Sequence, residues 1–214
     1  MTSLATALSL ACLASVAVLL FAESRGQRPL MALAKTGASG LFIAVAVALG
    51  AAHGPRFGAL MLLALVLSAV GDVCLLSERP RAFMAGLGFF LLAHLVFSAA
   101  FALAPLPVGP LALAMAAMAL VGGFSLRWLW PHLTPAFRWP VLAYIAAIML
   151  MCALALAFAA ATGRWLPAAG ALLFAASDLA VARQSFVQRA FVNKLWGLPA
   201  YYIAQLLMAW SVAG

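Results

Sequence analysis

The stretch LVLSAVGDVCLL (Leu65–Leu76) is lipid-compatible throughout except for one carboxylate, and ALLFAASDLAVA (Ala171–Ala182) has the same character. Asp72 and Asp178 are half of the four acidic residues in the chain. A carboxylate at the centre of a membrane-spanning helix costs about 2.5–3.5 kcal/mol on insertion scales. Residues that expensive normally face a protein-lined interior and act there. Asp72 and Asp178 are therefore the first candidates for the working site.

Outward from these segments the sequence stays apolar. Of 214 residues, 68% are hydrophobic and 7% charged, with a mean hydropathy of +1.18. A soluble domain of that composition would have nothing polar to cover its core. Apolar runs of about 20 residues recur along the whole length, each long enough to cross a hydrocarbon layer. The expected fold is all-α: a polytopic membrane protein, residues 1–214, forming a single domain of eight transmembrane helices. Spans are expected near 3–22, 31–51, 58–77, 83–103, 109–129, 138–161, 166–183 and 194–213. Turn chemistry separates them at Gly26 to Pro29, His53-Gly54-Pro55, Glu78-Arg79-Pro80, Pro105 to Pro110, Pro131 to Pro135, Gly163 and Asn193. The first run has no basic residue before it and no cleavage pattern after it, and reads as a retained helix.

The net charge of +8 does not signal nucleic acid. The cations sit at the ends of apolar runs, as topology signals do. Odd-numbered loops hold Arg25, Arg28, Arg79, Arg81, Arg127, Arg138, Arg183, Arg189 and Lys194, whereas even-numbered loops hold only Arg56 and Arg164. This asymmetry places the odd loops in the cytoplasm and both termini outside. The Ala-, Arg- and Gly-rich composition resembles that of a high-GC bacterium, so the expected location is a bacterial inner (cytoplasmic) membrane. Asp72 and Asp178 then lie on parallel helices, each toward the cytoplasmic end. Their separation of 106 positions (178 − 72) would suit a 4+4 internal repeat. Cys12, Cys74 and Cys152 lie in apolar runs without metal spacing and read as packing residues.

The other polar residues inside spans are few. Lys35 lies in LAKTGASG with Thr36 beside it and Ser39 one turn on, and Ser68 lies one turn before Asp72. His94 lies in GLGFFLLAHLVFSAAF with Ser98 one turn on, and Ser177 precedes Asp178. Tyr201, Tyr202 and Gln205 share the last span, with Tyr201 and Gln205 on one face. Each has a plainer reading. Lys35 could snorkel to the interface, His94 could be a packed histidine with one hydrogen bond, and the tyrosines could belong to an aromatic belt like Trp128, Trp130, Trp139, Trp165 and Trp196. An Asp72 or Asp178 paired with Lys35 or an arginine could be purely structural. No Gly-x-Ser-x-Gly elbow, His-Glu-x-x-His or phosphate-cradling glycine loop is present. Neither a metal site nor a cofactor is expected. What remains is acid–base work by two carboxyl groups, one protonated and one ionised.

The segments AKTGASGLFIA, SAVGDVCLL, FMAGLGFFLLAH and GALLFAASDLAVA, in that order, resemble the YhhN family of membrane proteins, whose eukaryotic members are lysoplasmalogenases. The resemblance runs roughly from Pro29 to the C-terminus. It implies hydrolysis of the vinyl ether bond of a lysophospholipid in the bilayer, releasing a fatty aldehyde and glycerophosphoethanolamine or glycerophosphocholine. By the matching motifs Asp72 and Asp178 would be the catalytic pair, and Lys35, His94, Tyr201, Tyr202 and Gln205 would line the substrate site. Protonation of the vinyl β-carbon gives an oxocarbenium ion that water captures, which calls for one neutral and one ionised carboxyl group, as in glycosidases. The phosphate could be held by Lys35, Arg79 or Arg183. The competing reading is a proton-linked transporter of small molecules or lipids, since intramembrane Asp and His are also the parts of a proton relay.

Overall fold

The computed structural model describes residues 2–77 and 79–213; Glu78 of the expected Glu78-Arg79-Pro80 turn and the two ends of the 1–214 domain lie outside the described residues. The described residues form eight α-helices: α1 (Thr2–Arg25), α2 (Arg28–Ala48), α3 (Arg56–Cys74), α4 (Pro80–Phe101), α5 (Val108–Leu129), α6 (Pro135–Thr162), α7 (Leu166–Ala182) and α8 (Phe191–Trp210). No strand occurs among the described residues. The order and approximate limits are those expected. Several helices begin earlier, because Pro29, Pro80 and Pro135 sit in the first turn instead of ending a loop. Proline lacks an N–H that the first turn cannot use anyway, and its φ suits a helix start. At the other end of α6, Gly163 takes a left-handed φ of 74° and stops the helix.

Helices α1 to α7 are each long and apolar enough to cross a membrane, α5 and α7 with their short continuations to His132 and Val187. Helix α8 has 20 residues but is more polar, carrying Asn193, Lys194, Tyr201, Tyr202 and Gln205. All but Lys194 of those five are buried, so α8 hides its polarity inside the protein. It packs on α1, α2, α3 and α7, while α5 lies at the periphery, mainly against α6. Consecutive helices pack as antiparallel neighbours except α4 and α5, where α4 packs on α6 instead.

Two glycines set close approaches that matter to the site. A Cβ on Gly71 would lie 2.8 Å from the Phe90 ring, so α3 and α4 touch beside Asp72. A Cβ on Gly197 would lie 2.5 Å from that of Ala180, bringing α8 against α7 one turn before Tyr201. Small residues at such crossings let helices pack closely where lipid offers little hydrophobic driving force. After α7 the chain continues as a π-helical turn (Arg183–Val187), which the sequence reading placed in a loop. Buried Asn193 fixes this turn to the start of α8. Its Nδ2 donates to Gln184 Oε1 (2.9 Å) and to the Gln188 carbonyl (2.8 Å), and its Oδ1 accepts from Arg183 (3.0 Å). At the same end Lys194 pairs with Glu23 of α1 at 2.6 Å. At the opposite end Arg164 packs over the rings of Phe57 and Phe158 and donates to the Ser211 carbonyl.

Candidate active site

Asp72 lies two residues before the end of α3, 2% exposed, and is surrounded by donors. Ser39 of α2 and Tyr201 of α8 both donate hydroxyl hydrogens to its Oδ2 at 2.7 Å, and the Lys35 ammonium lies 3.5 Å from Oδ1. Lys35 and Ser39 reach the same carboxylate because they are four residues apart on one face of α2. Tyr202 stands behind this group. It is fully buried and donates to the Lys35 carbonyl at 3.2 Å, with Ser39 Oγ at 3.3 Å. Every direct partner of Asp72 is a donor, and two charges of opposite sign are paired in a dry interior. Removing one partner from such a pair costs far more than the pair contributes.

Asp178 is near the end of α7 and faces a different set. Tyr144 of α6 donates to its Oδ1 at 3.2 Å. Its Oδ2 has no hydrogen-bond partner and faces His94 Nε2 of α4 at 3.5 Å. His94 is fully buried, and its Nδ1 is 2.6 Å from the Phe90 carbonyl. A carbonyl can only accept, so Nδ1 carries a hydrogen and Nε2 is the end of the ring that can gain or lose one. One proton placed between Asp178 Oδ2 and His94 Nε2 gives either a carboxylic acid facing imidazole or a carboxylate facing imidazolium. The Asp178 side chain is 12% exposed against 3% for Asp72, so it is the more open of the two.

The two carboxylates are not hydrogen-bonded to each other. An aromatic cluster connects their surroundings: the Tyr201 ring lies 5.4 Å from Phe174 and 5.8 Å from Phe90, and Phe174 lies 4.6 Å from His94. Tyr201 thus reaches Asp72 with its hydroxyl and the His94 side of the interior through ring contacts. The geometry accordingly brings together Asp72, Lys35 and Tyr201 as one group and Asp178 and His94 as another. Tyr202 supports the first from behind. Gln205, one turn beyond Tyr201, is buried with both amide atoms unpaired. A buried polar group left without a partner costs about 1–3 kcal/mol. Among the described residues, His94 Nε2, Asp178 Oδ2 and the Gln205 amide are the buried side-chain atoms in this condition.

Sequence reasoning missed Tyr144 altogether and left Ser39 as a neighbour of Lys35. A signal for Tyr144 existed: the chain has only three tyrosines, and all three are on helices that build this region. No group of three or more His, Cys, Asp or Glu converges among the described residues. Cys12 and Cys152 are spent on backbone carbonyls, of Ala38 and Ala171, at 3.4 Å each. Arg183, a candidate for a lipid phosphate, is engaged with Asn193, and Lys35 is turned inward to Asp72.

A helical membrane protein with two separately partnered carboxyl groups buried among its helices is the class these observations define. The chain belongs to the YhhN family, whose profile matches residues 30–212. Among curated relatives it is 40% identical to human lysoplasmalogenase TMEM86B over 148 residues, covering 69% of this chain and 61% of that protein. It is 34% identical to bovine lysoplasmalogenase TMEM86A over 153 residues, 69% of this chain and 62% of the relative. A lysoplasmalogenase of Mycobacterium tuberculosis is 38% identical over 154 residues, 68% of this chain and 57% of that one. The match therefore spans about six-tenths of the length of these relatives. No solved structure matches the chain significantly.

Proposed function

We propose that this protein hydrolyses the vinyl ether bond of lysoplasmalogens within the membrane, giving a fatty aldehyde and a glycerophospho-alcohol. The relatives' names supply the reaction class, and the observation that carries the mechanism is the unequal partnering of the two carboxyl groups. Asp178 is the general acid. With its Oδ2 facing His94 Nε2 and free of other partners, the pair holds one transferable proton. Asp72 is the fixed anion, since its contacts with Ser39, Tyr201 and Lys35 are all donors to a carboxylate.

The proton passes from the Asp178–His94 pair to the vinyl β-carbon, and the α-carbon becomes an oxocarbenium ion. Negative charge on Asp178 now faces that cation, and Asp72 adds a standing anion to the site. Water adds to the α-carbon and returns a proton to Asp178, so the acid is restored. The hemiacetal then releases aldehyde and alcohol, the proton moving from its hydroxyl to the departing glycerol oxygen through the same pair. Phenylalanine-rich faces suit the alkenyl chain. The headgroup lies toward the arginine-rich helix ends; the loop cations favour the cytoplasmic side for those ends, with both termini outside, and the composition suits a bacterial inner membrane.

The test is direct. Purified protein given a lysoplasmalogen should release aldehyde; Asp178→Asn should abolish release with a melting temperature near wild type, and Asp72→Asn should abolish release and also lower stability, because it leaves Lys35 unpaired. A wild-type protein that releases none, yet acidifies the interior of proteoliposomes when a substrate gradient is imposed, is a transporter and overturns this reading.

A further inference from the structure

We propose that the side-chain amide of Gln205 holds the hydrolytic water, making it a positioning residue for the second half of the reaction; the inference rests on the vinyl ether reading above. Gln205 is fully buried on α8, and neither Nε2 nor Oε1 has a partner. The fold does not need this amide: leucine or methionine would fill similar volume with no polar atom to satisfy. The other buried polar side chains behave differently. Ser68 and Ser98 donate to the carbonyls of Ala64 and His94 at 3.0 and 2.8 Å, and Asn193 is fully engaged with the turn after α7. Apart from Gln205, the unpaired atoms are those of the proposed proton-donating pair. Among the described residues, the unpaired buried polar atoms thus belong to the proposed reacting pair and to one amide, a helical turn beyond Tyr201.

Its position indicates which molecule it takes. Gln205 is one helical turn beyond Tyr201, away from the end of α8 that carries Lys194. Ser98 is one turn beyond His94 on α4, and Ser68 is one turn before Asp72 on the oppositely directed α3, so all three lie on the same side of the carboxylate level. The arginine-rich helix ends lie on the other side. A lysophospholipid with its headgroup toward those cations presents only hydrocarbon on the Gln205 side of the reacting carbon. The one polar reactant that must be delivered there is water. A water in a protein interior needs two to four polar partners. The Gln205 carbonyl accepts one of its hydrogens, the amide N–H₂ can donate to its oxygen, and the Asp178 carboxylate left by the first proton transfer can accept the second hydrogen. Held this way, the water's oxygen forms the new bond to the α-carbon and its second proton goes to Asp178.

The step has a signature that a structural role lacks. If water capture is slow, the oxocarbenium ion gives a β-carbon proton back to Asp178 and reverts to vinyl ether. In D₂O, wild type should yield aldehyde with a single deuterium at the carbon next to the carbonyl, and unreacted substrate should stay unlabelled. Gln205→Leu and Gln205→Met should release aldehyde on the order of 10²-fold more slowly. Their recovered substrate should carry deuterium at the vinyl β-carbon, and their aldehyde should carry two. Both should be at least as thermostable as wild type, because each removes unpaired buried polar atoms. A slow variant with no label in recovered substrate, or loss of folded protein in both variants, overturns the proposal. So does undiminished turnover. If wild type itself releases no aldehyde, the hydrolase reading fails, and that outcome is separable from the others.

Discussion

Asp72 accepts two hydroxyl hydrogens at 2.7 Å with an ammonium at 3.5 Å, whereas Asp178 accepts one hydroxyl at 3.2 Å and turns its second oxygen to an imidazole. Both sit near the C-terminal end of an apolar helix, α3 or α7, and by sequence alone they look equivalent. The helices around them differ in what they supply. Asp72 is met from α2 and α8 by Lys35, Ser39 and Tyr201; Asp178 is met from α6 and α4 by Tyr144 and His94. Stepping four helices along the chain turns one set of partner helices into the other. The lesson is chemical. An ammonium and two hydroxyl donors occupy both oxygens of Asp72, whereas an imidazole and one hydroxyl leave Asp178 Oδ2 without a hydrogen bond.

The comparison is most easily broken at Asp178. Asp178→Asn removes the mobile proton but leaves an isosteric group against Tyr144, so aldehyde release should fall by about 10³-fold or more. Its melting temperature should stay close to wild type; a large drop would make Asp178 structural. Lys35→Met should act through stability instead. It strands the Asp72 carboxylate in a dry interior, at about 3–5 kcal/mol, measurable as a shift in denaturation midpoint. The Lys35→Met/Asp72→Leu double variant should regain most of that loss, and failure to do so would show that the two charges are not a coupled pair. Tyr201→Phe deletes a hydrogen bond to the ionised group and should cost about 1.5–3 kcal/mol of stability. The smallest effect is expected from Tyr144→Phe, about 0.5–1.5 kcal/mol by denaturation, since its hydroxyl meets the carboxyl group that is otherwise least constrained. Equal losses for the two tyrosine variants would erase the asymmetry between the carboxyl groups.

Much of the fold was legible because lipid imposes simple rules. A backbone in hydrocarbon must satisfy its own hydrogen bonds, so apolar runs of sufficient length become helices, and Gly and Pro mark their ends. The rule misplaced starts where proline initiates a helix, and it gave no hint of the π-helical turn that Asn193 fixes. Lys35, His94, Tyr201 and the two aspartates stood out because polar residues in such runs are expensive. Tyr144 did not stand out, since a tyrosine in an apolar helix passes for packing or an aromatic belt. Ser39 did not either, because a serine in a helix can satisfy itself on the carbonyl four residues back.

By itself the sequence determined that this chain spans a membrane as a bundle of helices, and that two carboxyl groups inside it require an explanation. Hydropathy and the cost of burying charge are local properties, readable from one segment at a time. Only the tertiary structure decided which helix faces meet, and therefore that Lys35 belongs to Asp72, His94 to Asp178, and that the Gln205 amide has no partner. Those pairings depend on close approaches such as Gly71 on Phe90 and Gly197 on Ala180, which join residues far apart in the chain. Spacing along one helix cannot reveal them, because a side chain's chemistry here is set by the neighbours it meets across the bundle.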